Sequence, residues 1–125
     1  MRWDLCNVGV TVTVTAGGNP LGVAFDGTNI WVANSSSGMV SKINPVLNTV
    51  TATVPVGASP VGVAFDGTNI WVTNWGSGTV SKIDPVSNTV TATVTVGRNP
   101  VGVAFDGTNI WVTNSVSGTV SKIRV

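Results

Sequence analysis

A chain of 125 residues, 42% hydrophobic and 9% charged, carries enough apolar material for one compact domain. Its net charge of +1 offers no basic face for nucleic acid and no polybasic membrane patch, and its single cysteine, Cys6, excludes an intrachain disulfide. Apolar runs such as Val61–Phe65 and Ile70–Val72 are far too short for a membrane-spanning helix, and Met1–Asn7 lacks the apolar stretch of a signal peptide.

Residues 1–9 fit no repeat and read as a leader. Val10 to Thr15 then alternates valine and threonine strictly, which predicts a strand over 10–16 with one apolar face. It aligns with Val50–Pro55 and Val90–Thr95, each placed the same distance before a Gly-x-x-Pro. Pro20, Pro60 and Pro100 open copies of one sentence, 40 residues apart.

Each copy predicts short strands in a fixed order. The first (Leu21–Phe25, Val61–Phe65, Val101–Phe105) has no polar side chain. Asp-Gly-Thr-Asn follows as a turn in which Gly supplies positive φ and Asp or Asn bonds the local backbone. Ile-Trp-Val-(Ala/Thr)-Asn is the second strand, and a Ser/Gly-rich loop leads to the third, such as Thr79–Ile83. A turn at Asp84-Pro85 precedes the fourth, Thr89–Val96, which again alternates apolar residues with threonine. Polarity rises from the first strand to the fourth, so the first is expected innermost and the fourth outermost. Pro55 agrees, because proline belongs on an edge strand. Gly22, Gly62 and Gly102 keep bulk away from one face of the inner strand, as the crowded centre of a radial array requires. Four-stranded antiparallel units of this length, arranged about an axis, are the blades of an all-β propeller.

These units, Pro-x-Gly-Val-Ala-Phe-Asp-Gly-Thr-Asn-Ile-Trp-Val-Thr-Asn with Gly-Thr-Val-Ser-Lys-Ile-Asp-Pro and Asn-Thr-Val-Thr-Ala-Thr-Val, resemble the repeat of the YVTN family of β-propellers over residues 10–125. Trp31, Trp71 and Trp111 stand where the family carries Tyr. The resemblance implies a propeller used for binding or architecture more than for one chemistry. Family members commonly carry about seven blades, whereas this chain has material for three. The expected division is a leader (1–9), an outer strand (10–16), blades over 21–56 and 61–96, and a partial blade over 101–125. Strand 10–16 of a partner chain is expected to complete that partial blade, giving a homodimeric ring of six blades with Val10, Val12, Val14, Trp31, Trp111 and Val120 at its seams.

The repeated polar residues read first as fold chemistry. Trp31, Trp71 and Trp111 are expected in blade-to-blade packing, and Asp26, Asp66 and Asp106 in turns. Lys42, Lys82 and Lys122 are expected in ion pairs or solvent, and Asn34, Asn74 and Asn114 as caps. The resemblance extends to lactonase-like propellers, which hold calcium at the channel mouth with Asn, Asp and Glu. This chain contains no Glu, so no metal or cofactor is expected. Informative positions are those where the copies disagree. Trp75 and Arg98, with neighbouring Asn74 and Asn99, form the candidate ligand site, for a glycan or a protein partner. Drift between copies is the competing explanation. An enzyme similar to the streptogramin lyases, which use a histidine base and magnesium, is disfavoured because the chain has no histidine.

Overall fold

The computed structural model describes residue 9 and residues 11–125. Eleven strands follow one another: β1 (Pro20–Phe25), β2 (Ile30–Asn34), β3 (Met39–Asn44), β4 (Thr49–Pro55), β5 (Pro60–Phe65), β6 (Ile70–Asn74), β7 (Thr79–Asp84), β8 (Thr89–Thr95), β9 (Pro100–Phe105), β10 (Asn109–Asn114) and β11 (Thr119–Arg124). They form antiparallel sheets in sequence order, β1-β2-β3-β4, β5-β6-β7-β8 and β9-β10-β11. This is a propeller-like all-β architecture, and the sheets are called blades one, two and three. Residues 11–17 form no strand within the chain, while Val10 and the leader residues 1–8 lie outside the described residues.

Local chemistry sets the turns. Asp66 Oδ1 accepts from the Thr68 and Asn69 amides at 2.8 and 2.7 Å, closing the turn between the first two strands of blade two. Gly67 there has a φ of 95°, which a side chain would resist. The Asn44 side chain likewise accepts from the Val46 and Leu47 amides at 2.9 and 3.0 Å.

The register gives each blade two apolar faces. Ala24 pairs with Trp31 and Phe25 with Ile30, so tryptophan lies on one face and Phe25, Ile30 and Val32 on the other. Blades stack by opposing unlike faces. Trp31, Val40 and Val54 of blade one pack with Val63, Phe65, Ile70, Val72 and Ile83 of blade two. Trp71 and Val80 repeat the contact against Val103, Phe105, Ile110, Val112 and Ile123 of blade three. Inner strands approach so closely that a Cβ on Gly22 would strike the Val61 carbonyl oxygen, and one on Gly62 that of Val101. The expected small residues at the centre therefore serve strand-to-strand approach.

Candidate functional site

One end of the blades carries the β2–β3, β6–β7 and β10–β11 loops together with the inter-blade links at 16–19, 56–59 and 96–99. Asn74 ends β6 and stitches this end together. Its Oδ1 accepts from Gly57 N at 3.2 Å, and its Nδ2 donates to Thr79 Oγ1 and Ser81 Oγ at 3.1 and 2.9 Å. Asn74 is fully buried and its side chain is committed to the fold, so it leaves the proposed ligand set. Its hydrogen-bonding role agrees with the capping expected of this position.

The other three candidates come together. Trp75, Arg98 and Asn99 line one open depression of 370 Å³, with Ser77, Thr95 and Val96 completing its walls. Trp75 is 44% exposed, and Asn99 Nδ2 donates to its carbonyl at 3.1 Å. Arg98 is exposed, with its amide held by Ser117 Oγ at 2.6 Å. Val116, outside the predicted ligand set, donates its amide to the Arg98 carbonyl at 3.2 Å and has an exposed side chain. The signal was present, since Val116 replaces Ser36 and Gly76 of the other copies.

The opposite end holds a repeated Asp–Trp–Lys arrangement. Each indole N–H donates to its turn aspartate, at 2.8 Å for Trp31–Asp26 and 2.7 Å for both Trp71–Asp66 and Trp111–Asp106. Each lysine lies over its tryptophan ring, 5.4 to 5.5 Å from the centroid. Burial pushes the Asp66 pKa up, but the Asn69 amide, the Trp71 indole and the Thr68 amide together hold it below its ordinary 3.8. On exposed Asp106 the Asn109 amide, the Trp111 indole and the Thr108 amide bring it down to about 2. Lys42 reaches across to blade two, donating to the Pro85 carbonyl at 2.8 Å and Asn88 Oδ1 at 3.0 Å. A second depression, of 470 Å³, lies beside this latch and includes Asp26, Lys42, Phe65 and Pro85. Among the described residues no group of three or more His, Cys, Asp and Glu is placed to hold a metal.

The predicted seam residues are distributed unevenly. Trp111 is 39% and Val120 59% exposed, whereas their counterparts Trp71 and Val80 are buried in the contact with blade three. Val12 is exposed and Val14 half-buried, and Val10 lies outside the described residues. Trp31 requires correction, because it is fully buried between blades one and two and faces no free surface. The free face of blade one instead exposes Val23 (63%) and Phe25 (55%). Among the described residues one buried polar atom lacks a partner: Asn34 Oδ1, where Asn74 and Asn114 accept from Gly57 and Gly97.

No family model and no curated protein sequence matches the chain. Solved structures do match in fold. Hydrazine synthase of Kuenenia stuttgartiensis aligns with a TM-score of 0.68 and 24% identity, over 93% of this chain and 38% of that one. Virginiamycin B lyase from Staphylococcus aureus, a β-propeller, aligns at 0.74 and 16%, over 85% and 37%. A functionally unknown protein from Desulfotomaculum acetoxidans aligns at 0.67 and 18%, over 85% and 41%. The chain thus spans about two fifths of the length of each, and the likeness is one of fold.

Proposed function

We propose that the chain is a non-enzymatic β-propeller scaffold of the YVTN-repeat type, working as a head-to-tail homodimer that closes one ring of six blades. The observation carrying this reading is the complementarity of its two free faces. Blade three exposes Trp111 and Val120, the tryptophan face already packed twice inside the chain. Blade one exposes Val23 and Phe25, the face that receives it. Apolar patches of this kind mark interaction surfaces, and here the internal contact supplies the template for the partner.

The template also assigns the seam's polar contacts. Lys122 takes the place of Lys42 and reaches the turn holding Asn48 of the partner subunit. Thr113, exposed here, stands for Thr73, whose hydroxyl donates to the Val101 carbonyl at 2.8 Å, and it would meet Leu21 of the partner subunit. Residues 10–16 add to the open edge of β11, as β8 adds to β7. Gly17 already lies against the Asn34 side chain as Gly57 lies against Asn74, and that pairing would turn its amide to the Asn34 Oδ1 that lacks a donor. With three blades in each chain, two chains make six, within the four to eight that propellers use. Light scattering is expected to give twice 12.7 kDa, 25.4 kDa. A folded monomer at micromolar concentration overturns the ring, and a mass of three chains replaces it with nine blades.

The non-enzymatic part rests on the absence of histidine and on turn aspartates already occupied by backbone amides and indoles. One structure of virginiamycin B lyase contains quinupristin. Turnover of quinupristin by this chain with magnesium, surviving repurification, would refute the scaffold reading. A second reading, favoured by the gathering of Trp75, Arg98 and Asn99 in one depression, is a binding module on the loop face.

A further inference from the structure

We infer that the junction of blades two and three carries a site for an acidic sugar, a pyranose bearing a carboxylate. The inference rests on the binding-module reading and names its ligand class.

Charge placement comes first. Among the described residues, Asp26, Lys42, Asp66, Lys82, Asp84, Asp106, Lys122 and Arg124 all belong to the strands and turns of the Asp–Trp–Lys end. Arg98 is the one charge among the loops and links of the opposite end. The guanidinium takes part in none of the hydrogen bonds among the described residues, and no carboxylate lines its depression. A lone, exposed Arg fork on a neutral face is a receptor for a bidentate anion.

The platform beside it is equally singular. Trp31, Trp71 and Trp111 each give their indole N–H to an aspartate, whereas that of Trp75 bonds no described residue. The Trp75 backbone is clamped between two links, its amide donating to the Ser59 carbonyl at 2.9 Å and its carbonyl accepting from Asn99. Such clamping removes the backbone part of the ordering cost of binding. The remaining wall is made of small residues, Gly76, Ser77, Gly78, Thr95, Val96 and Gly97, with hydroxyls at Ser77 and Thr95. Ser77 Oγ accepts from the Ala58 amide at 2.7 Å, which leaves its own proton to donate. A flat aromatic face with hydroxyls at Ser77 and Thr95 beside it suits a pyranose, which is apolar on its C–H faces and hydroxylated at its rim. An acidic peptide offers a carboxylate without a flat C–H face for Trp75, and a neutral sugar accepts from Arg98 through hydroxyls alone and leaves its charge unpaired.

The other copies supply the controls. Ser35 and Ser115 occupy the position of Trp75, and Ala58 that of Arg98, so Trp75→Ser and Arg98→Ala install residues the blades already accept. The full chain is titrated with trigalacturonate, maltotriose, acetate and a hexaglutamate peptide, following the Gly76 and Gly97 amides by NMR. Trigalacturonate is expected to bind and maltotriose to bind more weakly, with each substitution weakening trigalacturonate by roughly tenfold or more. Melting temperatures of the variants should stay at the parent value. No shift with millimolar trigalacturonate, or equal binding by both variants, overturns the site. Binding of hexaglutamate alone, lost in Trp75→Ser, overturns the sugar class and leaves the binding module standing.

Discussion

Val80 and Val120 are one residue in two settings, and truncating each to alanine separates packing within the chain from packing between chains. Val80 is 0% exposed against blade three, while Val120, its counterpart on β11, is 59% exposed. Removing two buried methyl groups costs about 0.8 kcal/mol each by transfer. In the chain alone, Val120→Ala forfeits less than half of that. In the closed ring it forfeits the rest at each seam, about 1 kcal/mol, and the cavity left behind roughly doubles the loss. Two seams bring the penalty on dimerisation to about 2–4 kcal/mol, a roughly thirty- to thousandfold rise in the dissociation constant. Sedimentation equilibrium over a dilution series reads this directly. Val80→Ala should instead lower the melting temperature and leave the dissociation constant nearly unchanged. If Val120→Ala leaves the dissociation constant of a measured dimer within threefold, blade three does not meet its partner through this face.

The inner glycines give a second contrast. Gly62→Ala should destabilise the fold by roughly 1–3 kcal/mol, because its Cβ meets the Val101 backbone and Thr73 Oγ1 at 2.9 Å. A Cβ on Gly102 meets the Thr113 side chain first, at 2.9 Å, and no backbone of a following blade, so Gly102→Ala should cost the fold less than Gly62→Ala while raising the dissociation constant of the ring. Deleting residues 1–18 should abolish assembly or weaken it severely, as read by light scattering. Asp26 and Asp66 have folded pKa values below 3.8, so their contribution is present above that value and is lost as pH falls through the lower folded one. Melting temperature should therefore drop as the pH falls below about 4, and Asp66→Asn should flatten part of that slope. An identical slope in the variant would assign the acid loss to other groups.

Much of this arrangement is legible in the repeat. Rising polarity gave the strand order, and Asp-Gly-Thr-Asn gave the turn that Asp66 closes. The side on which tryptophan packs was not legible. Alternation tells that Trp31 and Phe25 occupy opposite faces, but both faces are apolar, and nothing in the residues says which points toward the following blade. That ambiguity put Trp31 at a seam, whereas the exposed apolar residues on the free face of blade one are Val23 and Phe25. Asn74 was misassigned for a related reason: a polar residue at a strand end beside Trp75 reads as reachable, until the Gly57, Thr79 and Ser81 bonds bury it. The Lys42 latch on Pro85 and Asn88 spans 43 and 46 residues, a pairing that emerges only when two blades stand side by side.

A single 40-residue sentence therefore has to encode both halves of an interface. Each blade must offer a tryptophan face to the next and accept one from the last, so every copy carries both sets of residues whether or not a neighbour is present. Blades two and three show the accepting set filled, with Phe65 and Phe105 packed in the two clusters. Phe25 is the same residue left 55% exposed. In the proposed ring the same repeated contact would also join the end blades of two chains. The positions released from this duty are the loops and links, where Trp75, Arg98 and Val116 depart from their copies. The proposed ring closure thus draws on what the copies share, and the proposed ligand site on where they differ.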